Sequence, residues 1–291
     1  MFVQSNTIRS VREYYRERLS DILTDSEIKQ VLNHALKLRL NMSTADLMLA
    51  DDSRVSESDL LYFRSIVKRL QANEPAQYIF GDTLFADLLI KCDQRALIPR
   101  PETEELADWI LSGNTQGPYE VMDLCTGTGC IALALKNKWP QSTVYAVDLS
   151  KEALELAREN STGLGLEIKV QELDALSDPG NWDFAPASFD IWVSNPPYIP
   201  EQEKSRMHSN VLEFEPEMAL FVSDGNPLIF YRAIAQAAKR FLKKGGRLYF
   251  ELHEDFAAET LQLMQDSGFT DCEIKLDLQG KQRMLKGIYA G

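Results

Sequence analysis

The chain has 291 residues, which is enough for two domains with a sizeable core. Its 44% hydrophobic and 26% charged residues are typical of a globular protein, and no apolar stretch approaches the ~20 residues that span a bilayer. The net charge of −13 argues against direct binding of nucleic acid, because such binding needs a basic surface. Since the N-terminus has no signal-peptide pattern, we expect a cytoplasmic protein with no membrane contact.

The distribution of charge and the spacing of the cysteines further limit the kind of protein that this chain can be. Residues 1–74 contain 11 basic and 11 acidic residues, so residues 75–291 carry the whole charge of −13. The cysteines form no C-x-x-C pair, and only three histidines accompany them; they are Cys92, Cys125, Cys130 and Cys272. This spacing predicts reduced thiols and no metal site.

The first 70 residues predict a small helical domain. Apolar residues recur there at helical spacing in two stretches, Ile8, Val11, Tyr15, Leu19 and Ile22, then Ile28, Val31, Leu32, Ala35 and Leu38. Thr24 with Glu27, and Ser56 with Asp59, match the capping box that opens a helix. The helix after Ser56 is expected to bury Leu60, Phe63, Val67 and Leu70. The pattern leaves open whether this domain only packs or also holds a partner.

After Glu74-Pro75 the pattern changes from helical to β-rich. Two short runs, Gln77–Phe80 and Leu84–Ile90, flank Gly81-Asp82. Runs of this kind around a glycine predict a hairpin that links two domains.

Strands and helices alternate through the rest of the chain. The predicted strands are Tyr119–Leu124, Thr143–Asp148, Glu167–Leu173, Phe189–Asn195, Arg247–Leu252, Asp271–Leu276 and Met284–Tyr289. A helix over Ile229–Phe241 is expected to stop at Gly245-Gly246. The alternation predicts an α/β fold with a doubly wound, largely parallel sheet and a ligand site at the C-terminal ends of its strands.

A glycine-rich turn follows the first of these strands. Gly127 and Gly129 allow close approach of a ligand to the backbone, and Asp148 ends the next strand 19 residues past Gly129. A carboxylate at that point can accept both hydroxyl groups of a ribose. The pattern predicts an adenosine-type cofactor, but it fits a dinucleotide as well as other cofactors, and a simple tight turn is the alternative.

The segment Asn195-Pro196-Pro197-Tyr198 ends the buried run Phe189–Ser194. Two successive prolines fix the backbone and remove two donors, which leaves acceptors at the strand end: the Asn195 side-chain oxygen and the Pro196 carbonyl. Two acceptors beside an aromatic ring suit a planar NH2 group that acts as a nucleophile. Such a nucleophile fits methyl transfer from S-adenosylmethionine. A proline-terminated strand and loop is the plainer alternative.

With these motifs the chain resembles the class I S-adenosylmethionine-dependent methyltransferases, and more closely the N5-glutamine methyltransferases that modify peptide chain release factors. The resemblance covers nearly the whole length. It rests on segments 97–106 (LIPRPETEEL), 123–129 (DLCTGTG), 146–150 (AVDLS), 193–199 (VSNPPYI), 213–216 (EFEP) and 277–283 (DLQGKQR).

The resemblance implies a Rossmann-like seven-stranded methyltransferase domain over residues 99–291, after a helical substrate-recognition domain over 1–73 and a β-hairpin linker over 74–98. It also implies methyl transfer from S-adenosyl-L-methionine to the side-chain nitrogen of the glutamine in the Gly-Gly-Gln motif of a class 1 release factor. A monomer is expected, with the release factor as its protein partner.

The same resemblance assigns the site residues. It implies catalytic roles for Asn195, Pro196 and Tyr198, and substrate contacts from these three with Pro197, Arg100 and Pro101. The expected cofactor contacts are Cys125, Thr126, Gly127, Thr128, Gly129, Asp148, Leu149, Asp174, Glu172 and Asn195. Asp174 is the first choice for the adenine side and Glu172 the second. A salt-bridged structural turn is the alternative for Arg100-Pro101-Glu102, and Glu213, Glu215 and Glu251 are expected to be surface or packing acids.

The chain departs from the family pattern at three places. Cys125 stands where the family has glycine, and Leu252-His253 replaces an apolar residue followed by glycine. The segment 171–174 aligns poorly with the family's acidic motif for the adenine side.

Two related activities stay open. Adenine-N6 methyltransferases of nucleic acid share the Asn-Pro-Pro-Tyr motif, and a sister family modifies a glutamine of a ribosomal protein. A nicotinamide-binding or non-catalytic module is a third alternative, but it leaves the turn at Asn195 unexplained.

Overall fold

The computed structural model describes residue 3 and residues 5–291. Over these residues the chain forms eleven α-helices and eleven β-strands, besides short 3-10 turns. Helices α1 to α11 are Ile8–Leu19, Asp25–Leu40, Thr44–Leu49, Glu57–Gln71, Ala76–Phe80, Pro101–Gly113, Cys130–Lys138, Lys151–Leu164, Ser209–Phe214, Ile229–Phe241 and Ala257–Asp266. Strands β1 to β11 are Asp82–Phe85, Leu88–Lys91, Glu120–Leu124, Thr143–Asp148, Lys169–Glu172, Phe189–Ser194, Ile199–Pro200, Phe221–Val222, Leu242–Glu251, Phe269–Leu276 and Gln282–Tyr289.

The chain divides into two compact units. One contains the described residues up to Phe80 together with α9, and the other contains Gly81–His208 and Glu215–Gly291. Among the described residues, every helix is too short or too polar to cross a membrane.

The first unit is helical, as its periodicity predicts. Tyr15 of α1 is fully buried, and its hydroxyl donates to the carbonyl of Phe63 in α4 at 3.0 Å. The capping boxes at Thr24 and Ser56 are both confirmed, and a third one opens α3 at Ser43. Within α4, all four residues expected to face the core are buried.

Two apolar residues assigned to the buried helix faces are instead exposed. Because α1 ends at Leu19, the chain turns before Ile22, which is 45% exposed and no longer continues the buried face. Leu38 lies at the edge of the face of α2 and is 51% exposed, whereas Leu36 is fully buried.

The second unit is built on a seven-stranded sheet in the order β10-β11-β9-β6-β3-β4-β5. Strands β9, β6, β3, β4 and β5 run parallel, and β11 is antiparallel to both β9 and β10. Met122 and Leu124 of β3 join one core cluster and Val121 joins another, so the sheet is buried on both faces. The predicted Rossmann-like fold with a small helical region before it is confirmed.

Two local predictions are wrong. Residues Gln77–Phe80 belong to helix α5 and form no strand. Pro75 opens this helical turn, and its carbonyl accepts the backbone N–H groups of Tyr78 and Ile79. The hairpin is β1–β2 instead, and its turn is Ala86-Asp87, at φ of 47° and 65°.

The expected helix stop at Gly245-Gly246 is also wrong. Helix α10 ends at Phe241, and both glycines lie inside β9. Gly246 is needed there for space, since a Cβ atom would lie 2.8 Å from the carbonyl oxygen of Lys243.

Candidate active site

A cavity of about 210 Å³ opens at the C-terminal ends of β3, β4 and β6. Parallel strands β4 and β6 flank β3, so the segments that follow all three strands meet at one edge of the sheet. The lining residues are 95–99, 103, 125–128, 130–131, 148–150, 153, 173–176, 195, 197, 216, 218–219 and 230. The cavity therefore lies where the sequence predicts a ligand site.

The glycine-rich loop after β3 is held by Asp148. The Asp148 carboxylate accepts the backbone N–H of Gly127 at 2.9 Å and that of Ser150 at 2.9 Å. Burial raises the pKa of this carboxyl, and the backbone donors oppose the rise. Each carboxylate oxygen can accept a further hydrogen bond, so Asp148 can hold the loop and still bind a hydroxyl group in the cavity.

Three residues of the loop adopt the left-handed conformation: Cys125, Gly127 at φ 54°, and Gly129. Gly129 caps α7 at φ 81°, where a Cβ atom would lie 3.2 Å from the Cβ of Ala157. Cys125 has φ 59°, in the region that favours glycine, and the residue lines the cavity. Cys125 thus adopts a backbone conformation that favours glycine, the residue that the family has at this position.

Beneath the loop lies Asp123, which is fully buried. Its Oδ2 accepts from the hydroxyl of Thr126 at 2.6 Å and from the N–H of Ala132 at 3.2 Å. Its Oδ1 has no hydrogen-bond partner among the described residues. Burial raises the pKa of Asp123 to about 7.

The two acids proposed for the adenine side are separated by the structure. Asp174 lines the cavity, as Leu149 does, whereas Glu172 is exposed and lies outside the lining. Glu172 lies 3.6 Å from the ammonium of Lys151. Of the two carboxylates, only Asp174 is placed to contact a ligand in this cavity.

Asn195 enters the cavity directly after β6. Its Nδ2 donates to Thr103 Oγ1 at 3.1 Å, and among the described residues its Oδ1 has no partner. Pro197 lines the cavity, while Pro196 is buried outside the lining. Asn195 therefore presents an open oxygen acceptor close to the glycine-rich loop.

Tyr198 lies outside the described lining of the cavity, and the aromatic cover expected over a substrate amide stays a prediction. Its hydroxyl donates to Glu251 Oε1 at 2.9 Å, and its ring meets His253 edge-on at 5.9 Å between centroids. Burial raises the pKa of Tyr198, and the nearby Glu251 charge adds to the rise.

Glu251 is the main functional candidate that sequence reasoning missed. It ends β9, is 2% exposed, and accepts from Thr103 at 2.6 Å and from Tyr198 at 2.9 Å. Burial raises the pKa of Glu251, while both hydroxyl donors and the charge of Arg283 oppose the rise. A single glutamate at a strand end belongs to no recognisable motif, so the sequence around Glu251 did not mark it as functional. The only sequence signal was its partner Thr103, which lies within the family segment 97–106.

Arg100 and Pro101 also lie outside the described lining. Arg100 forms an ion pair with Glu215, whose side chain is 1% exposed, and Glu215 Oε2 accepts the N–H of Ile98 at 3.1 Å. Pro101 opens α6 at its first turn. The contacts match the salt-bridged structural turn that was the alternative for this segment, and they join the family segments 97–106 and 213–216.

His253 belongs to a small polar cluster beside Tyr198. Its Nε2 lies 3.2 Å from Glu203, and its Nδ1 accepts the N–H of Asp255 at 3.2 Å. Ligand atoms of these three residues lie within 4.8 Å of one another. Because both ring nitrogens already have partners, the cluster needs no metal ion to explain it.

Comparison with known proteins identifies both units. Residues 117–285 match the family described as Methyltransferase domain, and residues 11–81 match the one described as PrmC N-terminal domain. A crystal structure of a methyltransferase from Pyrococcus furiosus shares the fold, with a TM-score of 0.53 and 17% identity over 78% of this chain and 98% of that chain.

Curated relatives match almost end to end. The release factor glutamine methyltransferase of Flavobacterium psychrophilum is 36% identical over 283 residues, which are 96% of this chain and 98% of the relative. The enzyme of the same name from Bacteroides thetaiotaomicron is 37% identical, over 94% of this chain and 98% of the relative. At this identity and coverage, the chain belongs to the family of release factor glutamine methyltransferases.

Proposed function

We propose that this protein transfers a methyl group from S-adenosylmethionine to the side-chain amide nitrogen of a glutamine in a peptide chain release factor. The observation that carries the proposal is Asn195, which lines the same cavity as the glycine-rich loop and Asp148, and whose Oδ1 has no hydrogen-bond partner among the described residues. The relatives named above support the choice of substrate. Membership of a methyltransferase family argues against the nicotinamide-binding alternative.

The residues around the cavity fit S-adenosylmethionine. Gly127 gives the backbone close access because its missing Cβ would contact only Ala96, at 3.8 Å. Asp148 has lone pairs left for ribose hydroxyls, and Asp174 offers an acceptor on the next strand end. When bound, S-adenosylmethionine supplies a methyl group on a positively charged sulfur.

In this mechanism the protein binds and aims the glutamine. Asn195 Oδ1 accepts one N–H of the substrate NH2 group. Pro196 lies outside the described lining, and the proposal assigns the second N–H to its main-chain carbonyl, next to Asn195 in the chain. The two bonds direct the nitrogen lone pair toward the methyl group. The nitrogen would gain positive charge as its bond to the methyl group forms and the bond between that methyl group and sulfur breaks, with neutral S-adenosylhomocysteine as the leaving group. The two acceptors stabilise the charge on nitrogen more than they stabilise the ground state. The nitrogen then releases a proton to solvent.

The proposed division of labour gives substrate recognition to the helical domain over residues 1–73. All described lining residues of the cavity belong to the second unit, which supports assigning the chemistry to residues 99–291. Residues 95–98, at the end of the proposed linker 74–98, line the cavity as well. The helical unit contains the segment that matches the PrmC N-terminal domain. Its neutral charge balance leaves it free to bind a protein surface by shape and apolar contact.

The test begins with purified protein, labelled S-adenosylmethionine and an intact release factor. We expect label in the release factor, on the amide nitrogen of one glutamine by peptide mapping. Label in added adenine-containing nucleic acid or ribosomal protein, with none in the release factor, would contradict the proposal.

The Asn195→Ala variant tests the role of the acceptor. Loss of one preorganised hydrogen-bonding group should lower the single-turnover rate by about 100-fold or more, while cofactor affinity by calorimetry stays within about tenfold. Asn181→Ala is the matched control, because Asn181 is exposed and lies outside the lining. A normal rate for Asn195→Ala would remove Asn195 from the mechanism.

A further inference from the structure

Glu251 connects two segments that surround Asn195. One carboxylate oxygen accepts from Thr103 in the first turn of α6, at 2.6 Å, and the other accepts from Tyr198, at 2.9 Å. Thr103 and Glu251 are 3% and 2% exposed, so bulk water does not compete strongly for these bonds. Both oxygens of a single buried carboxylate thus bind hydroxyl groups near the catalytic turn.

The direction of these hydrogen bonds determines how Thr103 can bind Asn195. The hydroxyl donors and the charge of Arg283 favour the ionised form of Glu251 against the effect of burial. In that form the carboxylate only accepts, so the Thr103 hydroxyl proton points to Glu251. The Thr103 oxygen can then offer only lone pairs to Asn195, and it receives Asn195 Nδ2–H at 3.1 Å. The amide of Asn195 is therefore held with its NH2 toward Thr103 and its oxygen left for the cavity.

We propose that Glu251 is a positioning residue that fixes the orientation of the Asn195 amide through Thr103. The inference rests on the proposed function, because a glutamine NH2 group needs an oxygen acceptor and would be repelled by the NH2 of a rotated Asn195. Without this relay, both orientations of the amide are allowed, and one of them places two donors against each other.

Tyr198 gives the relay a second point of attachment. Its bond to the other oxygen of Glu251 ties the end of the Asn195–Tyr198 turn to the carboxylate that orients its beginning. Arg283 donates to the carbonyl of Leu252, next to Glu251, at 3.0 Å, and its positive charge favours the ionised carboxylate. The Glu251 carboxylate, which belongs to no recognisable motif, is therefore where three family segments meet: 97–106, 193–199 and 277–283.

The test uses Thr103→Val, which has nearly the same shape but no hydroxyl, with Thr103→Ser as the matched variant that restores the hydroxyl. We expect the single-turnover rate of Thr103→Val on intact release factor to fall tenfold or more. Cofactor affinity by calorimetry should stay within about threefold, and Thr103→Ser should recover most of the rate. If Thr103→Val does not fold, Thr103→Ala removes the same hydroxyl without a new contact.

A double-mutant cycle separates positioning from general stability. Because Thr103 acts through Asn195, Thr103→Val should slow an Asn195→Ala enzyme no further. Equal slowing in both backgrounds, or a fall in cofactor affinity as large as the fall in rate, would overturn the inference. A wild-type protein that transfers no methyl group would overturn the proposed function as well, whereas an active wild type with a normal Thr103→Val variant would overturn the inference alone.

Discussion

Asp123 shows how one buried carboxyl can tie stability to pH. It is fully buried beneath the glycine-rich loop, and burial raises its pKa from 3.8 to about 7. The folded protein therefore holds this proton more tightly than the unfolded chain does. By linkage, this tighter binding of the proton stabilises the folded protein. Its contribution to the free energy of unfolding is complete below about pH 4 and is lost as the pH rises toward about 7.

The variant Asp123→Asn tests this dependence, because asparagine stays neutral at every pH and can still accept from Thr126 and Ala132. We expect the free energy of unfolding of Asp123→Asn, relative to wild type, to increase between pH 5 and pH 8. Urea unfolding at several pH values measures it, with the exposed Asp183→Asn as the control for loss of one charge. A difference that stays constant across this range would show that Asp123 is ionised throughout.

At the residue scale, the sequence predicted those site residues that sit in compact motifs. Asp148 ends β4, and Cys125, Gly127 and Asn195 closely follow strand ends, so the sheet topology brings all four to one cavity. Glu251 and Thr103 were not predictable in the same way, since their contact joins positions 148 residues apart. Tyr198 is the opposite case. It belongs to a compact motif, yet the contact that its hydroxyl makes, with the buried carboxylate of Glu251, was not predicted.

Two glycines with opposite surroundings test the packing of elements. A Cβ atom on Gly287 of β11 would lie 2.6 Å from Met264 Cε and 3.1 Å from Phe269 Cβ, so Gly287→Ala should destabilise by about 1–3 kcal/mol. Gly163 lies within α8 with no atom inside 4 Å of such a Cβ, so Gly163→Ala should stabilise by about 0.5–1 kcal/mol. Denaturant unfolding of both variants measures the difference. Equal effects would mean that β11 relaxes around the added methyl group.

Prediction of the elements depended on their length. Long periodic helices such as α4 and parallel strands such as β4 lie where the sequence placed them. The five-residue run Ala76–Phe80 is too short to show a period, so its tyrosine and isoleucine suggested a strand while Pro75 in fact opened a helix. The helix stop predicted at Gly245-Gly246 was wrong because a short pattern again has two meanings. Glycine pairs end helices, and they also relieve crowding in strands such as β9.

At the scale of the whole molecule, residues 75–291 carry the charge of −13. An acidic domain repels acidic proteins, so we expect the substrate surface around the glutamine to be basic. Attraction between such surfaces speeds encounter and is screened within roughly 8–10 Å at physiological salt. The value of kcat/KM on intact release factor should therefore fall as salt rises from about 50 to 300 mM.

A short neutral peptide with the same glutamine is the control for this measurement. Its kcat/KM should change much less over the same salt range, because it lacks the charged surface. Equal slopes for the two substrates would show that the charge serves solubility alone.

The helical unit is discontinuous in sequence, since it includes α9 as well as the residues up to Phe80. The side chain of Asn73 lies 3.4 Å from the hydroxyl of Ser209, within that unit. The chain consequently passes between the units three times, at residues 80–81, 208–209 and 214–215. A protease that cuts only at the first passage leaves the helical unit associated with α9, and a deletion of the first 80 residues exposes the face of α9 that the unit covers.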